Sequence, residues 1–260
     1  MELRMDGRKA LITGASLGLG KAMAERFAGA GAEVAIVARR AEVLDEAKIE
    51  IEQKTSAKIV CVPGDVSTDE GCQAAYDAAV KALGQVDVVV NNAGSSQRGP
   101  FADISDEIWQ ADIDLKLFAA IRLCRLALPE MRLRKWGRVI NILNTGAKAP
   151  PAEGAPTAVT RAAGMALTKV IAKEVVADNV LVNALLVGRI ESDQWVRRHA
   201  AEDKGRTLDN YYAEMSATLP MGRLGTAEEF ANAACFLASE QGSYISGVAL
   251  NVDGGLCPVV

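Results

Sequence analysis

A single histidine, His199, stands in 260 residues. That scarcity excludes a multi-histidine metal site and disfavours any relay built on imidazole. Cysteine is sparse too: Cys61, Cys72, Cys124, Cys235 and Cys257 are odd in number and scattered without metal-ligand spacing. They read as small buried hydrophobes in a reducing compartment, so a cytoplasmic location is expected. No apolar run approaches the ~20 residues of a membrane span, and the first eight residues hold no apolar signal-peptide core. Basic charge is not in excess, at 29 Lys and Arg against 33 Asp and Glu. No basic stripe is present for nucleic acid. Aromatics make up 5% of the chain, and no tyrosine occurs between Tyr76 and Tyr211.

What is present is an alternation of short apolar runs with segments of helical period. The strand-like runs are Ala10–Ile12, Glu33–Ala38, Lys58–Val62, Val86–Asn91, Arg138–Ile142, Val180–Leu186 and Gly247–Val252. Helices are expected after Gly20 and near Glu42–Lys54, Asp69–Ala82, Asp106–Arg132, Pro156–Ala177 and Ala227–Ser239, with an irregular segment after the strand Val180–Leu186. Such alternation predicts an α/β chain: one Rossmann-type doubly wound domain over residues 1–260, with a mostly parallel seven-stranded sheet and helices on both faces. No linker, repeat or low-complexity tract divides it.

The chain is organised around Thr13-Gly14-Ala15-Ser16-Leu17-Gly18-Leu19-Gly20. The glycines suit a tight turn, a close approach of backbone to phosphate, and tight packing of helix on strand. N–H groups at the helix start then form an anion site. Following a strand and opening a helix, this stretch predicts a dinucleotide site lined by Gly14, Ser16, Leu17, Gly18, Leu19 and Gly20. The second strand ends in Arg39-Arg40, with no acid before Glu42. An acid there would accept from an adenosine ribose, whereas arginine suits a 2′-phosphate. NADP is therefore the expected cofactor, with NAD the lesser alternative.

Across essentially its whole length the chain resembles the short-chain dehydrogenase/reductase family. The resemblance rests on the glycine-rich turn, Gly64-Asp65-Val66, Asn91-Asn92-Ala93-Gly94, Pro220-Met221-Gly222-Arg223 and Asn251-Val252-Asp253-Gly254-Gly255. It implies that Asp65 and Val66 touch the adenine, and that Asn92, Ala93 and Gly94 line the nicotinamide half. Gly188 and Ile190 follow the sixth strand where family members carry Pro-Gly, and Ser192 lies where a cofactor-contacting threonine is common. The usual catalytic residues are replaced. Aligning Arg161-Ala162-Ala163 to the family's Lys-Ala-Ala puts Thr157 at the tyrosine and Arg161 at the lysine. Asn144 then takes the serine position and Lys116 the asparagine position.

A phenol of pKa ~10 can be drawn toward neutrality by an adjacent cation, and a threonine hydroxyl cannot. Arg161 can hold ribose hydroxyls but gives up a proton poorly. Three substitutes stand open. Lys116 beside Arg161 would have a depressed pKa, although an Asp112–Lys116 pair one helical turn apart is the competing reading. Tyr211 or His199 could enter from a lid over residues 189–222, where aromatics more often serve packing. Asn144 and Thr145 could orient a substrate oxygen. The expected function is an NADP-dependent oxidoreductase acting on a carbonyl or hydroxyl group with a non-standard site made by Lys116, Asn144, Thr157 and Arg161. The alternative is a cofactor-binding protein without hydride transfer, a sensor or partner subunit. Arg98, Arg197 and Arg198 lean toward an anionic small substrate. Small residues along Pro156–Ala177 lead us to expect a homo-oligomer, dimer or tetramer.

Overall fold

In this computed structural model, residues 2–202 and 205–260 are described. Seven strands form one sheet of order β3-β2-β1-β4-β5-β6-β7. They are β1 (Lys9–Thr13), β2 (Glu33–Ala38), β3 (Ile59–Pro63), β4 (Val88–Asn91), β5 (Gly137–Asn144), β6 (Val180–Val187) and β7 (Ala249–Val252). Every pairing is parallel. The expected α/β architecture is present.

Strand pleating divides the core. Ile12, Ile36, Val90 and Ile140 face one side, where α1 (Gly18–Gly29), α2 (Ala41–Thr55) and α9 (Ala227–Ala238) contribute Phe27, Leu44 and Phe230. Their neighbours Leu11, Val37, Val89 and Val139 face the other side. There α3 (Asp69–Leu83), α5 (Ala119–Leu133) and α6 (Thr157–Val175) cover them with Cys72, Leu123 and Ile171. Strands buried on both faces explain why the runs are apolar throughout instead of alternating.

Two features depart from the expected outline. The long helix over Asp106–Arg132 is α4 (Asp106–Ile113) joined to α5 through a π-helical turn, Asp114–Phe118. Such turns frequently mark functional positions. The span after β6 is not irregular, because it folds into α7 (Asp193–Glu202) and α8 (Leu208–Ser216). Residues 203 and 204 of the expected lid, and Met1 of the expected domain, lie outside the described residues. No helix among the described residues is long and apolar enough to cross a membrane.

A buried polar chain ties β4 to α6. Asn91 Nδ2 donates to Asn141 Oδ1 at 2.8 Å, Asn141 Nδ2 to Thr168 Oγ1 at 2.9 Å, and Thr168 Oγ1 to the Gly164 carbonyl at 2.8 Å. This fixes α6 in register with the strand ends that carry the site. Asn141→Leu removes the acceptor of the buried Asn91 amide and the donor to Thr168 Oγ1. It is expected to cost about 1–3 kcal/mol, read as a lowered Tm in thermal denaturation.

Candidate functional site

The strand order reverses between β1 and β4, and a crevice opens at their C-terminal ends. A cavity of about 1060 Å³ occupies it. Its dinucleotide end is built by close approach. Asn92 Nδ2 donates to the Thr13 and Gly14 carbonyls at 2.8 and 3.0 Å, and Thr13 Oγ1 accepts from the Asn92 and Ala93 N–H groups. A Cβ on Gly20 would stand 2.6 Å from Asn92 Nδ2 and 2.8 Å from the Ala15 Cα, so only glycine fits. Gly14 and Gly18 have φ of +63° and +55°. No side chain caps α1 and no acid occupies its first turn, which leaves its N–H groups for a phosphate.

The other candidates gather around the same cavity. Ser16, Leu17, Leu19, Val66, Ala93 and Ser192 line it. Arg39 and Arg40 are exposed at the uncapped start of α2 and enter no ion pair among the described residues. Asp65 accepts from the Ser67 N–H at 3.0 Å, and that bond with the nearby Arg39 charge holds its carboxyl below the usual range. Gly188 packs on the chain after β7, where a Cβ would lie 2.6 Å from the Asp253 Cα. Ile190 is buried and bridges to Gly225. These features fit a nicotinamide dinucleotide: a phosphate cradle that a Cβ would fill, an uncapped helix start, and unpaired arginines at the ribose end.

At the other end lies a knot of buried polar groups. Asp112, on α4, and Lys116, in the π-turn, form an ion pair with both side chains 1% exposed. Lys116 Nζ also donates to Thr157 Oγ1 at 2.7 Å, and Thr160 Oγ1 donates to Asp112 Oδ2 at 2.7 Å. Thr157 Oγ1 further accepts from the Gln97 N–H at 3.0 Å, while its own hydrogen points to Asp112 Oδ1 across 3.4 Å. Burial first, then the Arg161 charge, lowers the Lys116 pKa to about 8 against the opposing pull of Asp112. Both readings of Lys116 therefore hold at once: it pairs with Asp112 and is also depressed by Arg161.

Arg161 lines the cavity and its side chain makes no hydrogen bond or ion pair among the described residues. Burial lowers its pKa to about 10, so it remains a cation at neutral pH. Gly94 admits it, since a Cβ there would meet Arg161 Nη2 at 2.6 Å. Asn144 also lines the cavity, and its Oδ1 is buried without a partner. That orphaned acceptor can receive a bond from a ligand hydroxyl. Lys116 itself does not line the cavity; it sits behind Thr157.

Of the lid aromatics, Trp195 lines the cavity, whereas Tyr211 and His199 pack within the lid. Tyr211 is buried beneath Arg206 at 4.5 Å, and His199 Nε2 donates to the Arg206 carbonyl at 2.7 Å. Neither lines the cavity, so neither is placed to act as the acid. Sequence reasoning missed Thr160, Gln97 and Arg189. Only Thr160 left a trace in the pattern, three residues beyond Thr157 on one helical face.

Comparison with known proteins accords with this geometry. The family model described as enoyl-(acyl carrier protein) reductase matches residues 14–257. The chain is 34% identical to 3-oxoacyl-(acyl-carrier-protein) reductase FabG of Chlamydia muridarum, over 98% of this chain and 100% of the other. It is also 34% identical to 3beta-hydroxysteroid dehydrogenase 1 of Eggerthella lenta, over 97% and 94%. Among solved structures, L-sorbose reductase of Gluconobacter frateurii, complexed with NADPH and L-sorbose, superposes with a TM-score of 0.95. The identity there is 35% and both chains are fully covered. The chain belongs to the short-chain dehydrogenase/reductase family of NAD(P)-dependent oxidoreductases.

Proposed function

We propose that this protein is an NADP(H)-dependent oxidoreductase interconverting a carbonyl and a hydroxyl group on a small molecule, with a proton relay made by Lys116 and Thr157. The carrying observation is the 2.7 Å bond from Lys116 Nζ to a threonine hydroxyl on the cavity wall. The Thr157 hydrogen is weakly held across 3.4 Å, so it can turn to a substrate oxygen as Lys116 replaces it. Threonine then needs no acidity of its own, because the lysine supplies the proton. A pKa of about 8 suits that role near neutrality. Arg161 is the group for the ribose hydroxyls, and Asn144 Oδ1 the group that orients the substrate. The bound nicotinamide supplies hydride chemistry.

Arg39 and Arg40 support the preference for NADP over NAD. The exposed Val159 and Val170 on α6 support self-association through that helix. Absence of an NADPH-consuming activity on a broad panel of ketones, aldehydes, sugars and imines, with NADPH still bound, would favour a cofactor-binding protein without hydride transfer.

Two outcomes check the proposal. The proton sits on Lys116 below about pH 8, so carbonyl reduction should decline as pH rises through that value and alcohol oxidation should decline as pH falls through it. In Lys116→Met both slopes vanish and kcat drops about 100-fold or more, with the Kd for NADPH little changed. Separately, Arg39→Ala should weaken NADPH binding about tenfold, the loss of one charge-assisted bond of about 1.5 kcal/mol. NADH binding should stay the same in a fluorescence titration.

A further inference from the structure

The cavity is lined by seven arginines, and among the described side chains it holds one acid, Asp65. The chain as a whole carries a net charge of −4, so this positive field is local. Arg39 and Arg40 belong to the adenosine end, and Arg161 to the ribose beside the knot. The remaining four, Arg98, Arg189, Arg197 and Arg198, line the same cavity, with Arg98 and Arg198 close enough to Arg189 for their charges to act on it and Arg98 next to the start of α6.

Arg189 is the telling member. It follows β6, is half-buried, and lays its guanidinium over the Trp195 ring at 4.8 Å. Arg198 approaches the same ring at 5.7 Å and pairs with Glu202 at 3.4 Å. The side chains of Arg189 and Arg98 enter no hydrogen bond or ion pair among the described residues. Burial lowers the Arg189 pKa, and the Arg98 and Arg198 charges lower it further. Arg189 is partly desolvated and faces the like charges of the exposed Arg98 and Arg198, and a shared anion offsets both the desolvation of Arg189 and the repulsion among the three. Arg98 is also fixed in place relative to the chemistry. Its backbone bridges to Pro156, the residue before Thr157.

We infer that the substrate carries a carboxylate or phosphate group, held by Arg98 and Arg189 beside Trp195, with its reacting carbon toward Thr157. The inference rests on the oxidoreductase reading and narrows it to anionic carbonyl or hydroxy compounds. A planar guanidinium gives a carboxylate or phosphate two parallel bonds, and the indole ring offers an apolar wall to the carbon skeleton. An uncharged sugar or ketone would leave the half-buried Arg189 guanidinium without an anionic partner and the repulsion from Arg98 in place.

The test is calorimetric titration of the protein saturated with NADP⁺, so that Arg39, Arg40 and the α1 start are already occupied. Oxalate and inorganic phosphate serve as probes, at fixed low salt. One or both should bind, with affinity reduced about tenfold in Arg98→Gln and in Arg189→Gln, while both variants keep their NADP⁺ affinity, which also shows that they are folded. Oxalate alone would mark a carboxylate substrate, and phosphate alone a phosphorylated one. Absence of binding by either probe, or binding unchanged in both variants, overturns the inference and leaves the reductase reading intact. Failure of NADP⁺ itself to bind overturns both.

Discussion

Two opposite charges held out of water, Asp112 and Lys116, set the terms at the end of the pocket away from the glycine-rich turn. A buried ion pair is tolerable only where further hydrogen bonds satisfy its remaining atoms. Here Thr160 binds the free carboxylate oxygen and Thr157 receives a lysine hydrogen. The π-turn that carries Lys116, the first turn of α6 that carries both threonines, and the Gln97 N–H that meets Thr157 are thereby drawn together. Arg161 stands one helical turn beyond Thr157, and its charge sharpens the cost of protonating Lys116. Removing either partner would strand the other charge, which must then neutralise by a shift in its own ionisation.

The dinucleotide half follows from a different constraint, the closeness of backbone to backbone. Thr13 and Asn92 clasp the ends of β1 and β4, and Gly20 lets α1 start against them. No charge is buried there, and the groups left over are N–H donors and exposed arginines. One chain thus presents a cofactor cradle of main-chain dipoles and, beyond it, a site of desolvated side-chain charges. The polar chain Asn91–Asn141–Thr168 links the two by fixing α6 against β4.

Much of this was legible in the sequence, and the reasons differ by region. Strands buried on both faces leave unbroken apolar runs, and the glycines of residues 14–20 are demanded by backbone geometry, so both could be read directly. The one-turn spacing of Asp112 and Lys116 is also local. What joins them to Thr157 and Thr160 spans more than forty residues and leaves no period behind. The π-turn is equally silent, since one wider turn barely disturbs the apolar pattern. The helices α7 and α8 leave no clear period in the sequence because their faces are mostly polar and their apolar anchors few. Arg189 escaped notice for a related reason: an arginine after a strand looks solvated until its neighbours in space are known.

As the proposed proton donor, Lys116 is tuned by burial and by Arg161, and its ionisation can be observed directly. Nitrogen-15 NMR of the side-chain ammonium, assigned by loss of the signal in Lys116→Met, would follow its titration in the folded protein. A midpoint of about 8 is the predicted result. A midpoint at the ordinary lysine value, about 10.4, would contradict it and reduce the pair to a structural tie.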